Sequence, residues 1–168
     1  DSQKESVNII MRSGMHLLTL INDILEISKI EAGKVDLVYE NFDFFQMIQD
    51  ITAMVKSRAK SNGLEVLTDI DPAIPRYIRA DAQKLRQVLI NLLINAVKFT
   101  KHGSVMLRVR CDGCTLGEDL PKQGIIFFEV EDTGIGISED DMKNLFKKFM
   151  RFHSSLSSAS EGTGLGLS

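Results

Sequence analysis

Three side chains on one predicted helix could face a polar ligand. Residues 87–99 read QVLINLLINAVKF, and Asn91, Asn95 and Lys98 follow one another at intervals of four and three. On a helix that spacing puts both amides and the ammonium on one face. Val88, Leu89, Leu92, Leu93, Ala96 and Val97 supply the apolar surface around them. A buried amide without partners costs about 1–3 kcal/mol, so the stripe faces either water or a polar ligand. A solvated face is the ordinary reading of an amphipathic helix. Here the apolar residues wrap far enough round to favour a wet cleft, though the stripe alone does not name what fills it.

Two glycine-rich stretches lie downstream. Asp132-Thr133-Gly134-Ile135-Gly136-Ile137 follows a predicted strand over 125–131, whose parity puts Asp132 on the side of Phe128 and Val130. A carboxylate at the edge of a core needs donors, and the amino group of an adenine is one. Gly134 and Gly136 would let the backbone come close to a flat ring. The second stretch, Gly162-Thr163-Gly164-Leu165-Gly166-Leu167, could cradle phosphates with its N–H groups at a helix start. Neither stretch fits a dinucleotide-binding fingerprint or a phosphate loop ending in Gly-Lys-Ser/Thr.

The elements that position these residues are legible in outline. Val7, Ile10, Gly14, Leu17, Ile21, Ile24 and Ser28 alternate by three and four, with Met11, Leu18 and Leu25 beside them. They predict one long helix over 5–31 with the heptad spacing of a coiled coil or bundle and a stop at Gly33. Such a helix cannot cover its own stripe and needs a hairpin partner or a second subunit. A second unit begins near Val35. Phe44, Phe45, Ile48, Ile51, Val55 and Ala59 predict a helix ending near Asn62-Gly63, followed by a strand over 64–70 and a loop punctuated by Pro72 and Pro75. Asp81 is an N-cap for the helix that carries the asparagines, which runs to about Thr100. Strands over 104–110 and 125–131 read as an antiparallel pair. Ser138 caps a short helix with Glu139, Asp140 and Asp141 at its start and Lys147 and Lys148 near its end, in the order the helix dipole favours. Residues 150–161 (MRFHSSLSSASE) read as a mobile loop. The fold class is α/β: an α/β sandwich, a mixed sheet with helices on one face, preceded by a long coiled-coil-type helix.

Composition bounds the function. The chain has 168 residues and a formal net charge of -3, enough for one domain with an appendage. The lack of a basic block argues against nucleic acid as a main partner. No apolar run spans a bilayer. The two cysteines stand in Cys111-Asp112-Gly113-Cys114, which reads as a turn in the connection between two strands rather than half of a four-ligand zinc site. His16, His102 and His153 offer no metal spacing, and a reducing compartment is expected.

Taken in order, these motifs resemble the sensor histidine kinases of two-component signalling. QVLINLLINAVKFT is similar to their N box, DTGIGI to the first glycine box, LFKKF (Leu145 to Phe149) to the F box and GTGLGL to the second glycine box. SGMHLLTLINDILEISKIEAGK (Ser13 to Lys34) resembles the second helix of their dimerisation hairpin. The resemblance implies ATP and Mg²⁺ as ligands. It places Asn95 on Mg²⁺ through its amide oxygen, Asn91 and Lys98 near the phosphates, and Asp132 on the adenine amino group beside Gly134 and Gly136. Gly162, Thr163, Gly164, Leu165 and Gly166 would wrap the phosphates, residues 150–161 would form the ATP lid, and Arg151 could reach the γ-phosphate. Phe146 and Phe149 would anchor the lid. Related ATPases of the gyrase and MutL type carry a water-activating Glu four residues before the magnesium Asn. Asn91 stands there and cannot be a general base, which favours transfer to a protein over hydrolysis.

The resemblance implies residues 1–34 as half of a dimerisation and phosphotransfer hairpin and 35–168 as an ATP-binding domain whose C-terminal part is missing. A fragment of that kind would be less stable or more association-prone than the whole. The family phosphorylates a histidine in a His-Glu/Asp-x-x-Thr-Pro type of box, and none of the three histidines is followed by an acid. The chain alone is therefore not expected to autophosphorylate. The whole protein would act as a homodimer through the hairpin and pass its phosphoryl group to the aspartate of a response-regulator receiver domain. The kinase part would be cytoplasmic, with any membrane anchor outside this sequence. The alternative is a non-catalytic nucleotide-binding or dimerisation module of the same fold.

Overall fold

The computed structural model describes residues 2–33, 36–114 and 124–143. Helix α1 (Ser2–Glu31) begins three residues before the expected start. It closes where glycine predicts: Ala32 N–H donates to the Ser28 carbonyl at 3.1 Å, and Gly33 takes φ 62°, a left-handed stop that glycine adopts without strain. Val7, Ile10, Met11, Leu17, Leu18, Ile21 and Leu25 are all exposed.

Residues Val38–Met142 form a separate compact unit. Its elements run β1 (Glu40–Asp43), α2 (Phe44–Lys60), β2 (Glu65–Ile70), β3 (Tyr77–Ala80), α3 (Ala82–Phe99), β4 (Ser104–Asp112), β5 (Ile125–Asp132) and α4 (Glu139–Met142). The main sheet has the order β2-β4-β5, with β2 parallel and β5 antiparallel to β4. Two parallel strands need a long crossover, and α3 lies in the one between β2 and β4. Alternation along β4 turns Val105, Leu107 and Val109 inward, all fully buried, and β5 adds Ile126, Phe128 and Val130 from the same side. Helices α2 and α3 cover that face with Phe44, Ile48, Ile51, Val55, Leu89, Leu93, Ala96 and Val97. On the other face Arg108 reaches Glu131 at 2.6 Å and Arg110 pairs with Asp69. The Arg110 guanidinium holds the Asp69 carboxyl below its ordinary range.

Two carboxylates start the helices. Asp43 accepts from Gln46 N–H at 3.0 Å and from Arg76 Nε at 2.8 Å; Asp81 accepts from Lys84 N–H at 2.9 Å and from Val38 N–H at 3.1 Å. These bonds stabilise the ionised form, chiefly through Gln46 N–H for Asp43 and Lys84 N–H for Asp81, so both pKa values lie below the ordinary one. The sequence did not announce the ribbon β1–β3, an antiparallel pair with Glu40 opposite Ala80 and Asp43 opposite Tyr77. Helix α2 stops at Lys60, before the expected Asn62-Gly63. The CDGC turn is present, with Gly113 at φ 77°. Cys111 and Cys114 join across it in a disulfide.

Candidate functional site

The stripe lies on the open side of α3. Packing of Leu89, Leu93, Ala96 and Val97 into the core leaves Asn91 exposed and Asn95 and Lys98 half-buried. Val88, grouped by the sequence with the apolar surroundings, is 55 % exposed, and Phe99 is 41 % exposed at the other end. The polar stripe is thus bordered by unburied apolar surface. Lys98 Nζ stands 5.1 Å from the Phe99 ring centroid, a cation–π contact that steadies a long side chain.

Asp132 ends β5 opposite Val105. It keeps the inward parity of Phe128 and Val130 but has run past the core, so it is exposed. Its Oδ1 accepts from Gly134 N–H at 2.8 Å, with the Thr100 hydroxyl at 3.5 Å. No protein donor is found for Oδ2 among the described residues. One carboxylate oxygen is therefore held by the protein while the other can take an N–H from a ligand.

The end of α3 and the glycine loop are hooked together. Ile135 N–H donates to the Phe99 carbonyl at 3.4 Å. A Cβ on Gly134 would lie 2.6 Å from both that carbonyl oxygen and Asp132 Oδ1. The bare Cα of Gly134 is thus needed against the protein's own backbone. Gly136 takes φ 69° with open space around its Cα. Thr100, buried at the C-cap of α3, donates its hydroxyl to the Ala96 carbonyl at 2.7 Å. Thr133 makes a second clasp: its hydroxyl accepts from Ser104 N–H and donates to the His102 carbonyl, both at 3.1 Å. The adjoining turn uses Gly103 at φ 108°, where any Cβ would strike the Thr133 hydroxyl.

Asn91, Asn95 and Lys98 share one face of α3, and Asp132, Gly134 and Gly136 lie at and after the end of β5; sequence reasoning did not single out the hydroxyls of Thr100 and Thr133 beside them. The available signal was a Thr directly after the predicted helix and another between Asp and Gly. Arg151, Gly162, Thr163, Gly164, Leu165 and Gly166, with the F box and the lid, lie outside the described residues. His16 lies in α1 and His102 in a turn, as expected. Among the described residues no cluster of three or more His, Cys, Asp or Glu could hold a metal ion. A metal held by one amide oxygen and a polyanionic ligand needs no such cluster. No described helix is long and apolar enough to cross a membrane.

The family described as histidine kinase-, DNA gyrase B- and HSP90-like ATPases matches residues 80–168, which include every candidate ligand-binding residue. The chain is 40% identical over 167 residues to hybrid signal transduction histidine kinase B of Dictyostelium discoideum, covering 99% of this chain and 8% of that protein. Among solved structures, full-length ShkA in complex with AMPPNP superposes with a TM-score of 0.77 at 29% identity, over 99% of this chain and 32% of that one. The histidine kinase ThkA, solved with the response regulator TrrA, shares the fold with a TM-score of 0.58 at 21% identity over 90% of this chain and 41% of that one. The chain thus spans a small part of these relatives.

Proposed function

The chain belongs to the histidine kinase-, DNA gyrase B- and HSP90-like ATPase family, and from that premise we propose that it is the ATP-binding part of a sensor histidine kinase that transfers the γ-phosphate to a histidine. The observation that carries this is the joint between α3 and the Asp132 loop. It fixes an oriented carboxylate and an amide–ammonium stripe on one rigid frame.

Asp132 Oδ2 accepts the exocyclic amine of adenine, because Oδ1 is already held by Gly134 N–H. Asn91 and Lys98 bind phosphate oxygens. Asn95 offers its amide oxygen to Mg²⁺, a hard ligand for a hard cation, and the ion supplies charge neutralisation at the phosphates when bound. Asn91 has no proton-accepting group basic enough to activate water, so hydrolysis is disfavoured against transfer. Arg151 and the residues Gly162 to Gly166 would complete the phosphate site. Residues 1–34 serve as the second helix of a dimerisation hairpin and 35–168 as the nucleotide domain. The partners are a second copy of the protein and a receiver domain whose aspartate takes the phosphoryl group, and the site of action is the cytoplasm.

Calorimetric titration with ATP, with and without Mg²⁺, tests the reading. Binding should weaken at least about tenfold in Asp132→Asn, since a hydrogen bond to a charged group contributes about 1.5–3 kcal/mol. Asn95→Ala should keep nucleotide binding and lose its magnesium dependence. Equal affinity of wild type and Asp132→Asn would overturn the assignment. Labelled ATP should leave no phosphohistidine at His16, His102 or His153, none of which is followed by the acidic residue of the acceptor box.

A further inference from the structure

The nucleotide site makes no use of Cys111 and Cys114. They flank Asp112-Gly113 at the end of β4, both half-buried, with Cα atoms 5.7 Å apart, inside the range a disulfide spans without moving the backbone. Gly113 takes φ 77°, a left-handed turn that glycine adopts without strain, and the two sulfurs meet across it. Gly124, just before β5, leaves room for them. At Gly124 a Cβ would stand 2.9 Å from Cys114 Sγ, 3.4 Å from Cys111 Sγ and 3.2 Å from the Asp112 carbonyl. A side chain there would collide with the joined pair, so glycine seats it.

From this we infer that Cys111 and Cys114 form a reversible dithiol–disulfide site that exchanges with small disulfides of the glutathione type. One cysteine thiolate attacks a sulfur of the oxidised glutathione and expels one glutathione thiolate. The second cysteine thiolate then attacks the protein sulfur of the mixed disulfide, forms the Cys111–Cys114 bond and expels the other glutathione. Two electrons pass from the cysteines to the reagent, and the cysteine protons end on the two released glutathiones. In a reducing compartment such a pair rests as the dithiol and closes transiently.

The site acts apart from nucleotide binding. Cys111 pairs with Ile126 and Val105 with Asp132; six residues of extended strand put the pair roughly 20 Å from the carboxylate. Closure should therefore leave ATP affinity unchanged, and the inference stands or falls independently of the proposed kinase reading.

The test is to equilibrate the chain in graded mixtures of reduced and oxidised glutathione, alkylate free thiols after denaturation, and weigh the products. The expected populations are two alkyl groups or none, with the unalkylated form lighter by two hydrogens. Cys114→Ser should instead collect a single glutathione on Cys111. Gly124→Ala, checked for folding by circular dichroism, should need several-fold more oxidant to close. A wild-type chain that stays doubly alkylated, or that gathers a glutathione on each cysteine without closing, would overturn the inference.

Discussion

Leu93 and Leu18 sit in two helices of similar pattern and opposite fate. In α3, Leu89, Leu93, Ala96 and Val97 are buried, and Leu93 has no exposed surface. In α1, Leu18 is 61 % exposed, and Val7, Ile10, Leu17 and Ile21 share its condition. Both sequences repeat apolar residues every three and four positions. What differs is the neighbour. A crossover between parallel strands obliges α3 to lie on the sheet, whereas nothing in the order of elements obliges α1 to lie on anything. Periodicity states that a helix has a face to bury; topology decides what buries it.

The sharpest test of that contrast removes the buried member. Leu93→Ala should destabilise the Val38–Met142 unit by about 2–5 kcal/mol, the range for a core leucine whose cavity does not collapse. Urea unfolding followed by circular dichroism measures it. A loss under about 0.5 kcal/mol would mean that the Leu93 side chain adds little to the hold of α3 on the sheet.

Next comes the joint at the end of α3. Gly134→Ala puts a methyl 2.6 Å from the Phe99 carbonyl oxygen and from Asp132 Oδ1. Relief requires the loop to leave the helix end, at about 1–3 kcal/mol for overpacking a tight site, and Asp132 to lose its orientation. Stability and ATP affinity should fall together. Thr100→Val, which keeps the shape and removes the hydroxyl bonded to Ala96, should cost about 1 kcal/mol, and Thr100→Ser should restore most of it. Stability of Thr100→Val equal to wild type would remove Thr100 from the joint.

These positions also mark how far sequence alone reaches. The caps at Asp81 and Ser138, the glycine stop after α1, the strand alternation and the asparagine stripe were all legible, because each follows from local chemistry. Ser138 does accept from Asp141 N–H at 3.1 Å. The ribbon β1–β3 was not legible: ENFD and YIRA are each four residues long, too short for alternation to show. Nor were the clasps of Thr100 and Thr133, since a hydroxyl's partners depend on how β5 meets the end of α3. For Gly134 the structure adds a reason that the sequence did not show, the Phe99 carbonyl against its Cα.

The other side of the comparison predicts a small effect. Leu18→Gln on α1 should change the unfolding free energy of the Val38–Met142 unit by less than about 0.5 kcal/mol, the range for exposed substitutions away from special features. The measurement belongs at low protein concentration, where self-association through the stripe is suppressed. A loss of several kcal/mol would show that α1 stabilises that unit after all. If Leu18→Gln lowers stability only at high concentration, the stripe is being covered by a second copy.

The smallest effect concerns acid. The Asp81 carboxyl that starts α3 titrates below its ordinary value of 3.8, chiefly through Lys84 N–H and then Val38 N–H. A carboxyl whose folded pKa is depressed adds stability above its unfolded pKa and loses it as pH falls through the folded value. Wild type should therefore hold its melting temperature down to about pH 4 and lose part of it below. Asp81→Asn can still cap the helix but carries no charge to neutralise. It should begin slightly less stable at neutral pH and fall less steeply, so that the two curves converge in acid. Asp43→Asn should behave alike at α2, where Gln46 N–H and the Arg76 guanidinium depress the carboxyl. Leu18→Gln on α1 should leave the acid limb of the curve where wild type has it. Parallel curves for wild type and Asp81→Asn down to about pH 3 would mean that the cap titrates alike in the folded and unfolded chain. The acid sensitivity of the Val38–Met142 unit would then have to arise elsewhere than at the helix starts.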